Sequence, residues 1–200
     1  MPNAVLVGHS YVRRLAELLN EEPGLKNGPQ ELTWKFIGIG GPTIDPDQPD
    51  HRNIFHYLPK IAELQPWVIY VHLGENDLRT MSPAKMIENF RVLIERLTIA
   101  CRPKKIVVSH LFPFPANQEL RETVDHINQH LDLSCKTGFP DLLPTRVYTW
   151  YHTVGARSES QSFVYQDGVH LRRETMEKYC HSVGTAVSRQ YNAVRRELQQ

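Results

Sequence analysis

Four short clusters in the chain have the residue types that acyl transfer needs. Gly8-His9-Ser10 closes an apolar run, Ala4 to Val7, and opens a helix-like stretch. A serine there stands at the positive N-terminus of a helix, beside free backbone N–H groups, a good place for a nucleophile and an oxyanion. On that junction alone a serine is more often a helix cap. The reading gains weight from Asp167-Gly168-Val169-His170, where a carboxylate precedes an imidazole by three residues. Asp167 can accept from one ring nitrogen and leave the other for a serine. Donors for the tetrahedral oxygen come from two further loops, a backbone N–H at Gly41 and the side-chain amide of Asn76.

Residues so far apart must be gathered by a fold. Short, β-branched-rich runs at Ala4 to Val7, Leu32 to Ile39, Trp67 to Leu73, Ile106 to Leu111 and Arg146 to Trp150 read as buried strands. Between them, Ser10 to Asn20, Asn53 to Leu64, Pro83 to Ala100, Gln118 to Leu133 and about Arg172 to Leu198 carry apolar residues at helical spacing. The third begins well, with Ser82 as cap and Pro83 in the first turn, and its stripe of Met86, Ile87, Phe90, Leu93, Ile94 and Leu97 reads as core. Strands alternating with helices predict an α/β fold of right-handed βαβ units, a five-stranded parallel sheet covered on both faces. In such sheets ligands bind at the carboxyl ends of the strands, where all the loops named above fall.

Taken together, Val7-Gly8-His9-Ser10, Gly38-Ile39-Gly40-Gly41-Pro42-Thr43, Gly74-Glu75-Asn76-Asp77 and Asp167-Gly168-Val169-His170-Leu171 resemble the four blocks of the SGNH hydrolases, the GDSL lipases and esterases. The resemblance spans nearly the whole chain. It implies a three-layer α/β/α sandwich with a flavodoxin-like parallel sheet. It further implies Ser10 as nucleophile, His170 as base then acid, Asp167 as orienting carboxylate, and the Ser10 N–H, Gly41 N–H and Asn76 amide as oxyanion hole. The function implied is a serine esterase working through an acyl-enzyme on Ser10, with no metal or organic cofactor. Around Val5 to Arg14 and Asp167 to Tyr179 the texture is similar to SGNH esterase-like domains of invertebrate proteins and of the first open reading frame of LINE-type retrotransposons.

The chain departs from that family at His9, where Asp is usual, at Phe36, where Asn is usual, and at Pro42. His9 is read as altering the electrostatics and packing behind the nucleophile rather than as a base, because neighbours on a sharp turn point apart and no carboxylate is adjacent to orient it. Asp77 is read as capping the turn after Asn76. His72, His110 and His152 are read as satisfied structural histidines. His126 and His130 share a helix face, but Ile127 stands where a metalloprotease needs Glu, so they are read as solvated or capping histidines. A dinucleotide fingerprint would need glycine at Thr43, and an α/β-hydrolase elbow would need it at Val12.

Composition sets the outer bounds. The chain has 200 residues, 40% hydrophobic and 22% charged, with 14 Pro, 11 Gly and a net charge of +1. That is ordinary globular usage and predicts one domain over 1–200. Three widely spaced cysteines, Cys101, Cys135 and Cys180, suggest neither a disulfide framework nor a zinc site. No run approaches a membrane span, and the N-terminus lacks a basic n-region, so an intracellular protein is expected. The expected partner is a small-molecule, glycan or lipid ester. Trp150, Tyr151, Phe163 and Tyr165 are expected to line the substrate pocket because they precede the Asp167–His170 pair. With no long greasy channel in sight, a short acyl group such as acetyl is favoured. Two other readings are carried: a thioesterase or lysophospholipase on the same site, and a non-catalytic RNA- or glycan-binding module. The last thirty residues support RNA, with six basic side chains against three acidic.

Overall fold

The computed structural model describes residues 1–112, 117–137, 146–153 and 171–200. Ten elements follow one another: β1 (Asn3–Gly8), α1 (Ser10–Glu21), β2 (Thr33–Gly38), α2 (Leu58–Glu63), β3 (Val68–His72), α3 (Pro83–Cys101), β4 (Lys105–Ser109), α4 (Gln118–Thr137), β5 (Arg146–Trp150) and α5 (Arg173–Leu198). Short 3-10 turns occupy Pro23–Leu25 and Ile54–Tyr57. All five expected strands form, in one parallel sheet of order β2-β1-β3-β4-β5.

Strand alternation explains why helices cover both faces. Val5, Val7, Ile69, Val71, Ile106 and Val108 point to one side, where they meet Ile61 of α2, Met86, Phe90, Leu93 and Leu97 of α3, and Val124, Ile127 and Leu131 of α4. Ala4, Leu6, Val68, Tyr70 and Val107 point to the other, against Tyr11, Val12 and Leu15 of α1 and Met176, Tyr179, Val183 and Val187 of α5. The result is the three-layer α/β/α sandwich. β3 and β4 are buried at every position, which is why they read as unbroken apolar runs rather than alternating ones. Each fully buried Leu, Ile or Phe of the α3 stripe contributes about 1.5–3 kcal/mol.

One predicted helix is divided. The stretch Asn53 to Leu64 begins as a 3-10 turn, in which the Asn53 side chain accepts from Phe55 N, and becomes helical only from Leu58. Pro59 has no N–H to give to the preceding turn, so the first part cannot run on as an α-helix. By contrast α3 starts as its sequence dictates: the Ser82 hydroxyl accepts from Lys85 N at 3.3 Å, with Pro83 as its first residue.

The strand order locates the crevice. From β1 the chain goes to β2 on one side and then returns to β3 on the other, so the loops leaving β1 and β3 diverge at their carboxyl ends. That reversal is the place where open α/β sheets hold ligands. Ser10 leaves β1 there, and Gly74-Glu75-Asn76 leaves β3.

Candidate active site

The nucleophile turn is made by close approach. A Cβ on Gly8 would lie 2.6 Å from the carbonyl oxygen of His72 and 2.4 Å from Val12 Cγ2, so only glycine lets β1 end this tightly against β3. His9 N then donates to His72 O at 3.3 Å. His9 is the N-cap of α1 and makes no side-chain capping bond, while Ser10 is the first helical residue. Ser10 therefore does not cap the helix. Its Oγ sits half-buried at the helix N-terminus, 3.4 Å from His9 Nδ1.

The loops after β2 and β3 are tied to this turn and to each other. Gly41 has φ +59°, a left-handed conformation that a side chain disfavours, and it holds the backbone of the β2 loop in a turn. Asn76, exposed, gives one N–H of its amide to Pro42 O at 3.1 Å. That leaves a second N–H on the same nitrogen for another acceptor. Asp77 does not cap its own turn with its side chain. It reaches across to the β2 loop, accepting from Thr43 Oγ1 at 2.5 Å and from Ile44 N at 3.2 Å. Burial pushes the Asp77 carboxyl up, and the bonds from Thr43 and Ile44 work against that rise. The turn after Asn76 is closed instead by the backbone, with Thr80 N and Met81 N donating to Asp77 O. Gly41 and Asn76, far apart in the chain, are thus held by adjacent residues of two clamped loops.

Beneath Ser10 runs a buried polar chain. Glu75 Oε2 stands 2.9 Å from His9 Nε2, and Glu75 Oε1 bonds His72 Nε2 at 2.8 Å. The other nitrogen of His72 meets the Tyr179 hydroxyl at 2.7 Å. Tyr70 hydroxyl links onward, 3.4 Å from Tyr179 and 2.7 Å from His152 Nε2, and His152 Nδ1 lies 2.8 Å from Ser182 Oγ. His72, His152 and, through Asp132 at 2.8 Å, His110 are the satisfied histidines expected. Burial lowers His72 and holds His152 well below the usual imidazole range, so both are neutral near pH 7. Burial alone would raise Glu75, but the two imidazoles facing it win and keep it well below the usual carboxylate range.

Glu75 corrects the reading of His9. The imidazole has a carboxylate against it after all, supplied by the loop after β3 rather than by its own strand. Parallel pairing of β1 and β3, with Gly8 opposite His72, puts the residues that follow the two strands side by side. The legible signal was an imidazole in one loop and an acid in the loop beside it. His9, His72 and Glu75 each offer an atom within 4.8 Å of the others, a two-histidine, one-carboxylate set able to hold a divalent cation. In this structure Glu75 bonds His72 through one oxygen and faces His9 with the other.

Other expected site residues divide into two groups. Asp167, His170, Phe163 and Tyr165 lie outside the described residues. Trp150 turns toward α5, its indole N–H donating to Ser182 Oγ at 3.1 Å, and packs on the core beside α1 and α5. Tyr151 is exposed, edge-on to His110. His126 and His130 are exposed neighbours on α4, as read. Of the α5 arginines, Arg173 pairs with Glu21, Glu22 and Glu177, and Arg195 with Glu31, so part of the basic face is already neutralised. Among the described residues no helix is long and apolar enough to cross a membrane.

Several solved structures share this architecture. A carbohydrate esterase family 3 protein from Talaromyces cellulolyticus is similar over 94% of this chain and 96% of its own, with 13% identity and a TM-score of 0.65. An acetyl esterase carrying a serine-to-alanine substitution, solved with an acetate ion, covers 97% and 100% at 15% identity and TM-score 0.64. A lipolytic protein of the G-D-S-L family from Veillonella parvula covers 91% and 96% at 12% identity and TM-score 0.67. At these identities the likeness is one of fold. No curated protein matches the chain in sequence. The model of the GDSL-like lipase/acylhydrolase family does match, over residues 6–183. Because that match runs from β1 into α5 and takes in all the loops gathered at the switch point, the chain belongs to the GDSL-like lipase/acylhydrolase family of carboxylic ester hydrolases.

Proposed function

We propose that the protein is a serine esterase that cleaves short acyl esters, acetyl esters foremost, through an acyl-enzyme on Ser10. The observation that carries this is the position of Ser10 itself. It opens α1 at the switch point of the sheet, with the Gly41 and Asn76 loops clamped beside it by Asp77 and Pro42. In the reaction Ser10 Oγ attacks the ester carbonyl, His170 takes its proton, and the developing oxyanion is held by Ser10 N–H, Gly41 N–H and the Asn76 amide. Asp167 keeps His170 in the productive tautomer and faces the imidazolium that forms. The proton then passes to the leaving alcohol, and water repeats the cycle on the acyl-enzyme.

Short acyl groups are favoured by what fills the floor of the site. His9 packs on Tyr11 with ring centroids 4.3 Å apart, Tyr11 on Phe112 at 5.3 Å and Phe112 on His72 at 4.9 Å. Space beside the nucleophile turn is thus taken up by aromatic side chains, which supports a small acyl group over a long one. The acetate-bound structural neighbour is in keeping with that size.

The test is hydrolysis of p-nitrophenyl esters from acetate to palmitate by wild type and Ser10→Ala across pH. The expected result is turnover highest on acetate, abolished by the substitution, and rising through roughly pH 6 to 7.5 as the base loses its proton. Equal background rates in both proteins would overturn the reading.

A further inference from the structure

The imidazole next to the nucleophile is arranged to do more than pack. We propose that His9, held from behind by Glu75, is a second general base for Ser10, distinct from the Asp167–His170 pair. The proposal rests on the esterase reading of Ser10.

Each nitrogen of His9 is committed to one side of a proton path. Nδ1 lies 3.4 Å from Ser10 Oγ, and Nε2 lies 2.9 Å from Glu75 Oε2. With the ring proton on Nε2, facing the carboxylate, Nδ1 presents its lone pair to the serine hydroxyl. This is the nucleophile, base and acid order of a triad, read with the two ring nitrogens exchanged. Both contacts are looser than a working catalytic hydrogen bond: the serine distance is long, and the His9–Glu75 approach is out of line for N–H···O. Such contacts commonly tighten when substrate arrives.

The surroundings fix the pair. His9 is 3% exposed and Glu75 8%, so their interaction is poorly screened by water. The His9 ring is wedged between Tyr11, at 4.3 Å, and the edge of His72, at 5.2 Å. His72 is unavailable for the task, because its nitrogens are bonded to Glu75 and Tyr179. A purely structural Glu75 would need only the oxygen that serves His72 and lies 3.4 Å from Phe112 N. Its other oxygen has no aligned hydrogen bond and is turned to His9. Among the described residues, the titratable groups around His9 are Glu75 and His72 from the β3 side, Tyr11 from α1, and Tyr179 of α5 behind His72.

The step balances without any outside reagent. As the Ser10 Oγ–carbon bond forms, the carbonyl π pair moves to oxygen and the serine proton passes to His9 Nδ1. The resulting imidazolium faces the Glu75 carboxylate. Nδ1–H then protonates the departing alcohol oxygen as the ester C–O bond breaks, and His9 is neutral again.

The experiment measures phosphonylation of Ser10 by a fluorophosphonate probe, which reports serine nucleophilicity independently of the natural ester. Wild type, Ser10→Ala, His170→Ala and His9→Asn/His170→Ala are compared after circular dichroism shows each to be folded. The expected result is that His170→Ala labels at least about tenfold faster than Ser10→Ala, and that adding His9→Asn removes this residue of reactivity, in line with the 10²- to 10⁴-fold worth of a positioned base. Glu75→Gln in the His170→Ala background gives a second readout: residual labelling should fall toward that of His9→Asn/His170→Ala, and combining the two substitutions should slow it no further than either alone, because both act on one proton path. His170→Ala reacting no faster than Ser10→Ala, in a labelled wild type, overturns this proposal alone. So does a second substitution at His9 without effect, or Glu75→Gln and His9→Asn slowing labelling additively. Loss of the residual reactivity to a chelator and its return with Zn²⁺ overturns it in favour of a metal site at His9, His72 and Glu75. An unlabelled wild type removes the esterase reading and this proposal together.

Discussion

Glu75→Gln isolates the charge at the centre of the buried network while keeping its shape. In the native protein one carboxylate oxygen accepts from His72 Nε2 at 2.8 Å and lies 3.4 Å from Phe112 N, and the other faces His9 Nε2 at 2.9 Å. A glutamine preserves a carbonyl oxygen for His72 but turns an amide N–H₂ toward His9. Hydrogen bonds to a charged group are worth roughly 1.5–3 kcal/mol net against about 0.5–1.5 for neutral ones. The bond to His72 is downgraded and the charge facing His9 is lost, so the substitution should cost about 1–2 kcal/mol. For a chain of this size each kcal/mol moves the midpoint by roughly 2–4 °C, giving a fall of about 2–8 °C at pH 7 in thermal denaturation. The pH dependence has a definite sign. Glu75 titrates in the folded state well below the ordinary carboxylate value. Its contribution is therefore fully present above the unfolded pKa, near 4.3, and is lost as pH falls through the folded one. Urea denaturation should show a wild-type advantage that is flat from pH 7 to about 5 and narrows below about 4. Equal midpoints at pH 7, or an advantage that persists undiminished at pH 3.5, would refute the reasoning.

Other perturbations separate the loops from the core. Asn76→Ala should lower kcat on p-nitrophenyl acetate by on the order of 10²- to 10³-fold while leaving the thermal midpoint nearly unchanged, since the residue is exposed. Asp77→Ala removes the acceptor of Thr43 Oγ1 and of the buried Ile44 N; it should cost about 1–3 kcal/mol in urea denaturation and reduce kcat, because the Gly41 turn is no longer anchored. Glu197→Ala strands the ammonium of Lys105, which is buried in β4 and bonded to Glu197 Oε1 at 2.7 Å; a loss of roughly 1–3 kcal/mol with unaltered esterase rate is expected. The thiols of Cys101 and Cys180 are pushed up to about 11 by burial, so alkylation at pH 8 should be slow until the protein is unfolded.

How much of this was legible in sequence follows from which forces act locally. Strand and helix identities were readable because burial imposes a period, continuous for β3 and β4 and helical for α3. Boundaries set by a single residue were less so: Pro59 splits what the apolar spacing alone joins. The carboxyl ends of the strands, and with them the loops that carry Ser10, Gly41 and Asn76, were readable from the alternation of elements, whereas the strand order that makes the switch point was not. Asp77 was misread because its partners, Thr43 and Ile44, lie more than thirty residues away and nothing in its own turn announces them.

His9 is the instructive case. Judged by its sequence neighbours it has no acid to orient it, and reading it as packing behind the nucleophile rather than replacing His170 as the base is sound on those terms. Parallel pairing changes the terms, because β1 and β3 are adjacent in space though sixty residues apart, and whatever follows β3 becomes a neighbour of whatever follows β1. A residue just past the end of one strand must therefore be read together with those just past the ends of the strands beside it, not with its own flanks. Applied here, that rule pairs His9 with Glu75 and joins two isolated oddities, an imidazole beside the nucleophile and a buried acid beside Asn76, into one unit that contacts Ser10.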